Sequence, residues 1–363
     1  MKRTGFLFEK IVDINNIVLA HLNARQNKTN DKQVQMVDRD ILGYCKRIQK
    51  MLIDKTYMTS KYHTFKIKDR GKERDICELP YFPDRIVQWA IMQVLEKVFM
   101  KHLISTTYAA LRGEYRWSKK RKKFVSDRGT HAALTKLHKF MEDREGTQYC
   151  LKLDVKKFFP SIHKDILKRI LRRLFKDDDV LWILDDIVDS GEQGIPIGNY
   201  TSQYFGNIYL SQFDHWLKEQ KRVKYYLRYM DDMVILSNSK EYLHQLRKEI
   251  EAYLLENLGL KLKENWQVFP TYVRGIDFVG YRSFGDYTLL RRSTKARLKI
   301  ATKKLLRKTN TGAPLSQSDQ STVGSYKGIL EWGDCARLKN KTINKILGGQ
   351  HGNGKRKSGS KAA

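Results

Sequence analysis

Acidic residues are scarce in this chain relative to basic ones. Forty Asp and Glu stand against 70 Lys and Arg, giving a formal net charge of +30 over 363 residues. Solubility alone needs far less, which argues against a soluble enzyme of a small metabolite and points to a polyanionic partner, nucleic acid first. Cysteine is also sparse. Cys45, Cys77, Cys150 and Cys335 lie far apart with no metal-type pairs; they read as reduced thiols in a cytoplasmic protein. No apolar run reaches membrane-spanning length, so no membrane partner is expected. The opening stretch MKRTGFLFEKIVDINN has an acidic residue early in its apolar part and no small-residue cleavage site, so no signal peptide is expected. HxxE and DEDD-like patterns, Cys/His clusters and internal repeats are missing, and no nuclease or RNase H domain is expected.

What is present suffices for a large core or two to three subdomains, since 41% of residues are hydrophobic. The informative stretch is 225–237, YYLRYMDDMVILS. Two short apolar runs flank an Asp pair, which reads as two strands joined at a tight turn with Asp231 and Asp232 at the tip. Adjacent carboxylates repel each other and are costly to desolvate. A divalent cation removes that conflict, and Mg²⁺ is commonly held by one or two carboxylates plus substrate phosphates. The alternative is a plain polar turn, where Asp is common.

A second stretch, 149–162, reads YCLKLDVKKFFPSI. Leu151, Leu153 and Val155 fall on one face of a strand, and Cys150, Lys152 and Asp154 on the other. Asp154 ends the strand, a Pro-containing turn follows, and then an amphipathic helix carrying Ile166, Leu167, Ile170, Leu171 and Leu174. This arrangement can bring Asp154 beside Asp231 across a sheet. Three carboxylates there would hold two metals about 3.5–4 Å apart, the clamp used for in-line phosphoryl transfer.

These stretches resemble motifs A and C of reverse transcriptases. Between them lies GIPIGNYTSQ (194–203) in place of the QGxxxSP usual in retroviral enzymes; this version resembles reverse transcriptases of diversity-generating retroelements. The segments 70–99, 128–134, 266–282 and 325–334 are similar to further family segments in the same order, from about Tyr57 to about Leu347. Ahead of it, the helical periodicity of 5–24 and 34–55 reads as an N-terminal helical segment (1–56). The resemblance implies an α+β right-hand polymerase with fingers (57–149, with contributions from 190–224). It further implies a palm with an antiparallel sheet (150–283) and a helical thumb (284–349); the tail that follows lacks apolar residues to bury and reads as a basic disordered tail (350–363). It implies an RNA-directed DNA polymerase using two Mg²⁺ ions, with Mn²⁺ as an alternative. Asp154 and Asp231 would bridge both ions, the Val155 carbonyl would complete one, and Asp232 would be a weaker ligand. Lys68 and Arg74 would meet the incoming dNTP, Arg74 matching the family position best. Phe159 would lie under its sugar and exclude a 2′-hydroxyl, with Phe158 in the core. Ile197, Gly198, Ser202 and Gln203 would shape the nucleotide pocket. Template RNA, the RNA–cDNA duplex and a small, basic, oligomeric accessory variability protein are the implied partners.

Two features depart from the family pattern. Trp266 stands where a Lys is often placed after the GL-x-L stretch, leaving Lys261 or Lys263 as candidates for the general acid. The segment 114–128, EYRWSKKRKKFVSDR, is an insertion in which aromatics interleave with a basic run. Arg116, Lys119, Lys120, Arg121, Lys122 and Lys123 can neutralise phosphates while Trp117 stacks on a base, in contact with RNA; the alternative is a loop charged for solubility. For Lys66 and Lys72 a solvated hairpin is the preferred reading. Retron or group II intron types, and an RNA-binding scaffold on a degenerate polymerase, are the competing functions.

Overall fold

Alternation of apolar residues builds the sheet around which the molecule is organised. The computed structural model describes residues 3–69, 72–118, 122–311 and 313–347. Four antiparallel strands lie in the order Tyr225–Tyr229, Asp232–Ser237, Tyr149–Asp154, Gln267–Pro270. Side chains alternate across the sheet. Leu151, Leu153, Tyr226, Met233 and Ile235 enter the main core, while Cys150, Leu227, Val234, Leu236 and Phe269 enter a second one. Helices cover the main-core face, among them Lys164–Leu174, Tyr200–Tyr209 and Lys240–Leu258; Gly129–Met141 covers the other. Both faces being buried explains the unbroken apolar run Met233–Leu236 in one of the central strands.

Asp side chains cap three N-terminal helices. Asp13 starts Ile14–Ala24, Asp31 starts Lys32–Arg39, and Asp40 starts Ile41–Ile53. Their buried residues Ile17, Ala20, Val34 and Ile48 belong to the same core as the central sheet; Ile14–Ala24 packs on helix Ile86–Lys101 and on Ile41–Ile53. The N-terminal segment is therefore an extension of the main core.

The expected fingers hairpin pairs His63–Asp69 with Lys72–Glu78, placing Lys68 opposite Glu73 and Arg74 opposite Ile67. The side chains of Lys68, Lys72 and Arg74 lie outside the described residues. The basic insertion is also a hairpin, Tyr115–Ser118 with Lys123–Ser126. Lys119, Lys120 and Arg121, and the side chain of Lys123, lie outside the described residues.

Past the central sheet, Ile276–Phe278, Tyr281–Ser283 and Thr288–Leu290 form a small antiparallel sheet. Helices Arg292–Asn310, Gln317–Leu330 and Ala336–Lys341 follow, and Leu298, Leu305, Val323, Leu330 and Trp332 give this region its own core. Ser316 and Asp319 form a capping box at the start of Gln317–Leu330, and Lys308 reaches Asp319 at 2.7 Å. The tail from residue 348 onward lies outside the described residues.

Candidate active site

The turn after Tyr225–Tyr229 is tight enough to force Met230 to φ +58°. Asp231 occupies the turn, and Asp232 opens the returning strand directly opposite Asp154. Both Asp positions therefore sit at one end of the sheet beside the end of the 149–154 strand. Burial, and next the charge of Asp154 together with a hydrogen bond to it, push the Asp231 carboxyl up to about 7. Asp232 is also raised, by burial first, against the opposing pull of Lys152. Lys263 Nζ donates to Asp154 Oδ1 at 2.5 Å, and Lys152 donates to Asp232.

These contacts narrow the expected three-carboxylate clamp. Among the described residues no group of three His, Cys, Asp or Glu side chains is placed to hold a metal. Asp154 and Asp231 meet, whereas Asp232 is drawn to Lys152. Two carboxylates that cannot comfortably ionise together fit a cation held by that pair and completed by substrate phosphates; they do not form a closed protein cage. Val155 follows Asp154 with its side chain buried in the main core.

The pair opens onto a cleft of about 850 Å³ whose lining includes Asp154, Phe159, Asp231, Lys263 and Trp266. Phe158 is 3% exposed and packs in the core, while Phe159 turns to the cleft. Trp266 lies under the Arg247 guanidinium, 4.5 Å from the ring centre. Of the two lysines weighed as proton donors, Lys263 lines this cleft and Lys261 lines a neighbouring groove.

The 194–203 segment locks onto both neighbours through its glycines. Gly194, at φ +61°, leaves no room for a Cβ, which would lie 2.2 Å from the Phe159 carbonyl oxygen. Gly198, at φ +135°, would place a Cβ 2.3 Å from the Cys77 oxygen. The Ile197 carbonyl accepts the Cys77 N–H at 2.8 Å, tying this segment to the fingers hairpin. Ile197 itself is half-buried. Ser202 departs from expectation: it is 2% exposed, turned into the core from helix Tyr200–Tyr209. Gln203 is exposed on that helix, and neither residue is among those lining the cleft.

On the 115–126 hairpin, Trp117 and Phe124 face each other across the strands, edge to face at 5.3 Å. Tyr115, Trp117 and Phe124 are 72%, 56% and 64% exposed. Arg116 is exposed and paired with Glu114 at 2.9 Å, and Lys122, exposed, is in the turn. Tyr115 and Phe124 border a groove of about 740 Å³ that also includes Arg112, Arg128 and Gly328.

One residue supporting the site went unrecognised in the sequence. Arg228 is fully buried and pairs with fully buried Asp214, while its Nη1 donates to the Met230 carbonyl at 3.0 Å. An arginine inside an otherwise apolar strand, YYLRY, was the available signal.

Residues 65–283 match the family described as Reverse transcriptase (RNA-dependent DNA polymerase). The chain belongs to the reverse transcriptase family. Its central sheet and flanking helices are the palm of a right-hand polymerase fold, mixed α and β as expected. It is 23% identical over 259 residues to Protein YkfC of Escherichia coli (strain K12), covering 59% of this chain and 64% of that one. The chain thus spans less than two thirds of that relative. Similar solved structures include apo telomerase from Candida tropicalis (13% identity, TM-score 0.49, 70% of this chain and 52% of that one). Telomerase from Candida albicans, in complex with a TWJ fragment of telomeric RNA, is similar at 12% identity, TM-score 0.47, 70% and 51% coverage. Among the described residues, no helix of this reverse transcriptase family member is long and apolar enough to cross a membrane.

Proposed function

We propose that this protein is an RNA-templated DNA polymerase of the diversity-generating retroelement type, making error-prone, adenine-mutagenic cDNA from a template-repeat RNA. The observation that carries the polymerase reading is the meeting of Asp154 and Asp231 at the palm cleft in a chain of this family. The retroelement type is supported by GIPIGNYTSQ, where an aliphatic residue precedes the pocket glycine.

Two bound Mg²⁺ ions, or Mn²⁺ in their place, supply activation of the primer 3′-oxygen and neutralise charge on the departing pyrophosphate. Asp154 and Asp231 would hold them, with the Val155 carbonyl beside them and Asp232 contributing indirectly. Phe159 supports the nucleotide sugar from below and leaves no space for a 2′-hydroxyl. Lys263, already hydrogen-bonded to Asp154, is the candidate to hand a proton to the leaving group. Arg74 and Lys68, on the fingers hairpin, are the residues assigned here to the nucleotide phosphates, and the 115–126 hairpin is assigned to RNA. The four free thiols agree with a cytoplasmic setting, and the accessory variability protein is the expected assembly partner.

Asp154→Asn and Asp231→Asn each remove one ligand charge without changing side-chain volume. Both should abolish dNTP incorporation on an RNA template while leaving the circular dichroism spectrum unchanged. Near-wild-type extension by either variant would overturn the two-metal assignment. Copying a template-repeat RNA by the wild type with errors spread evenly over all four bases would instead favour the retron or group II intron type.

A further inference from the structure

A second groove adjoins the cleft. The segment 261–263 runs alongside 154–156: Lys263 N–H donates to the Asp154 carbonyl and Lys156 N–H to the Lys261 carbonyl, both at 2.8 Å, with Val155 bridged to Leu262. Val155 and Leu262 are buried, so the residues flanking them project outward. Asp154 and Lys263 meet in the cleft. One step further on, Lys156 and Lys261 enter a separate groove of about 670 Å³, together with Lys157, Lys164 and Gly194.

The charges in this groove are unbalanced. Lys152 and Lys263 in the cleft are each neutralised by a carboxylate. Lys156, Lys157 and Lys261 are exposed and, among the described residues, form no ion pair; Glu192 is the one acidic residue lining the groove. Lys157 is held at φ +46°, a backbone conformation a non-glycine residue keeps only where its surroundings impose it. Gly194, which also lines the groove, packs so close to the Phe159–Pro160 backbone that it leaves no room for a Cβ. Like charges gathered without counter-charge repel, and a multivalent anion removes the penalty.

We propose that this groove is a polyphosphate port, receiving the pyrophosphate released at Asp154 and, in the opposite direction, the triphosphate tail of an entering nucleotide. The assignment rests on the polymerase reading. In that reaction the primer 3′-oxygen bonds to the α-phosphorus, the bond from that phosphorus to the α–β bridging oxygen breaks, and its electron pair leaves with the pyrophosphate. The departing group gains negative charge at Asp154, two residues along the chain from Lys156, which is paired through its backbone with Lys261. A nucleic-acid strand fits the groove less well. Its lining has no Phe, Tyr or Trp, and includes nothing from the fingers hairpin, the 115–126 hairpin or the C-terminal helices.

The test uses full-length protein and the variant Lys156→Gln/Lys157→Gln/Lys261→Gln. Binding of inorganic tripolyphosphate and of pyrophosphate is measured without divalent metal, and RNA affinity is measured in parallel. Tripolyphosphate and pyrophosphate affinities should each fall at least tenfold, with RNA affinity kept within twofold. In extension assays the dNTP KM should rise and pyrophosphate inhibition weaken, with kcat less affected. A loss confined to pyrophosphate would restrict the port to product; a loss confined to tripolyphosphate and KM would restrict it to substrate, and either retains a polyphosphate site. Unchanged binding of both anions overturns the proposal, as does an equal loss of RNA affinity, which would make the groove a nucleic-acid surface. If the triple variant does not fold, Lys156→Gln and Lys261→Gln singly must each weaken tripolyphosphate binding. The binding arm needs no polymerisation, so loss of anion binding in a chain that fails to polymerise would keep the site and overturn only the polymerase reading.

Discussion

Arg228 and Asp214 form an ion pair with no exposed surface on either side chain, beneath the turn that carries Asp231. Arg228 Nε contacts both Asp214 oxygens at 2.8 and 3.0 Å, and Nη2 reaches one of them at 2.5 Å. Tyr226 donates to Asp214 at 2.7 Å, and Asn207 Oδ1 accepts from Arg228 Nη1 at 3.1 Å. Arg228 Nη1 also donates to the Met230 carbonyl, in the residue whose positive φ turns the chain into Asp231, and Nη2 donates to Thr107 Oγ1 and the Asn207 carbonyl. The palm hairpin is thus anchored from below by a charge pair whose hydrogen-bonding capacity is almost wholly used.

Breaking such a pair leaves one charge buried and uncompensated, which costs about 3–5 kcal/mol. Arg228→Leu and Asp214→Asn should each lower unfolding stability by roughly that amount in chemical denaturation. The double variant Arg228→Leu/Asp214→Asn should lose less than the sum of those two singles, because neither charge is left behind. Arg228→Lys should rescue little, since an ammonium cannot reproduce the fork that spans Asp214, Asn207 and Met230. A loss under about 1 kcal/mol for both singles would show the pair to be unimportant for the fold.

The sequence revealed which faces are buried better than what they are buried against. Period-two alternation in 149–155 separated Leu151 and Leu153 from Cys150, and the structure puts those sets in different cores. Asp154 at a strand end and an Asp pair at a turn were legible because each position follows from local pattern. The Lys152–Asp232 contact was not, although Lys152 and Asp154 were expected on one face, because strand register decides which carboxylate a lysine meets. Asp214 lies 14 residues before Arg228 on a different element, so no local periodicity joins them. Helix Ile14–Ala24 showed an apolar face but not that helix Ile86–Lys101 would complete it.

Phe158 and Phe159 are adjacent and have opposite environments, which makes the sugar gate a register test. The Phe159 backbone is pinned by the Ile195 N–H at 3.1 Å, so its ring can be removed without releasing the turn. Phe159→Ala should admit ribonucleotides, measured as the ratio of rNTP to dNTP incorporation efficiency. Phe158→Ala should instead cost stability, about 3–5 kcal/mol as for large core truncations, with sugar selectivity unchanged. Selectivity lost in Phe158→Ala and kept in Phe159→Ala would reverse the assignment.

The 115–126 hairpin presents three exposed rings on a basic ribbon, a combination suited to phosphate and base contact at once. Replacing 119–123 with Gln should weaken RNA binding and flatten its salt dependence, by roughly 0.7 in log–log slope for each phosphate left without its cation on a single strand. Trp117→Ala should weaken binding at every salt concentration, by about 1–3 kcal/mol if one base stacks there, leaving the slope intact. Equal slopes for wild type and the Gln variant would make the ribbon a solvated surface.

Ile197 occupies the joint between fingers and palm, and its backbone is fixed from two sides. Its carbonyl accepts the Cys77 N–H, and the next residue, Gly198, is pressed against the Cys77 carbonyl in a conformation that excludes a Cβ. Substituting the Ile197 side chain therefore changes chemistry at a stationary point. By the family resemblance, Ile197 stands where retroviral-type enzymes carry Gln, whose amide can hydrogen-bond near the incoming nucleotide; an aliphatic side chain cannot. One such contact is worth on the order of 1–3 kcal/mol of discrimination, roughly 10–200-fold. Ile197→Gln should accordingly reduce misincorporation, and do so more opposite template adenine than opposite other bases. The measurement is deep sequencing of cDNA copied by both enzymes from one RNA template under equal dNTP supply. A fall shared equally by all four template bases would assign Ile197 to general fidelity and remove it from the adenine bias. Unchanged error rates at adenine, with extension rates preserved, would return Ile197 to a packing role between the hairpin and the palm.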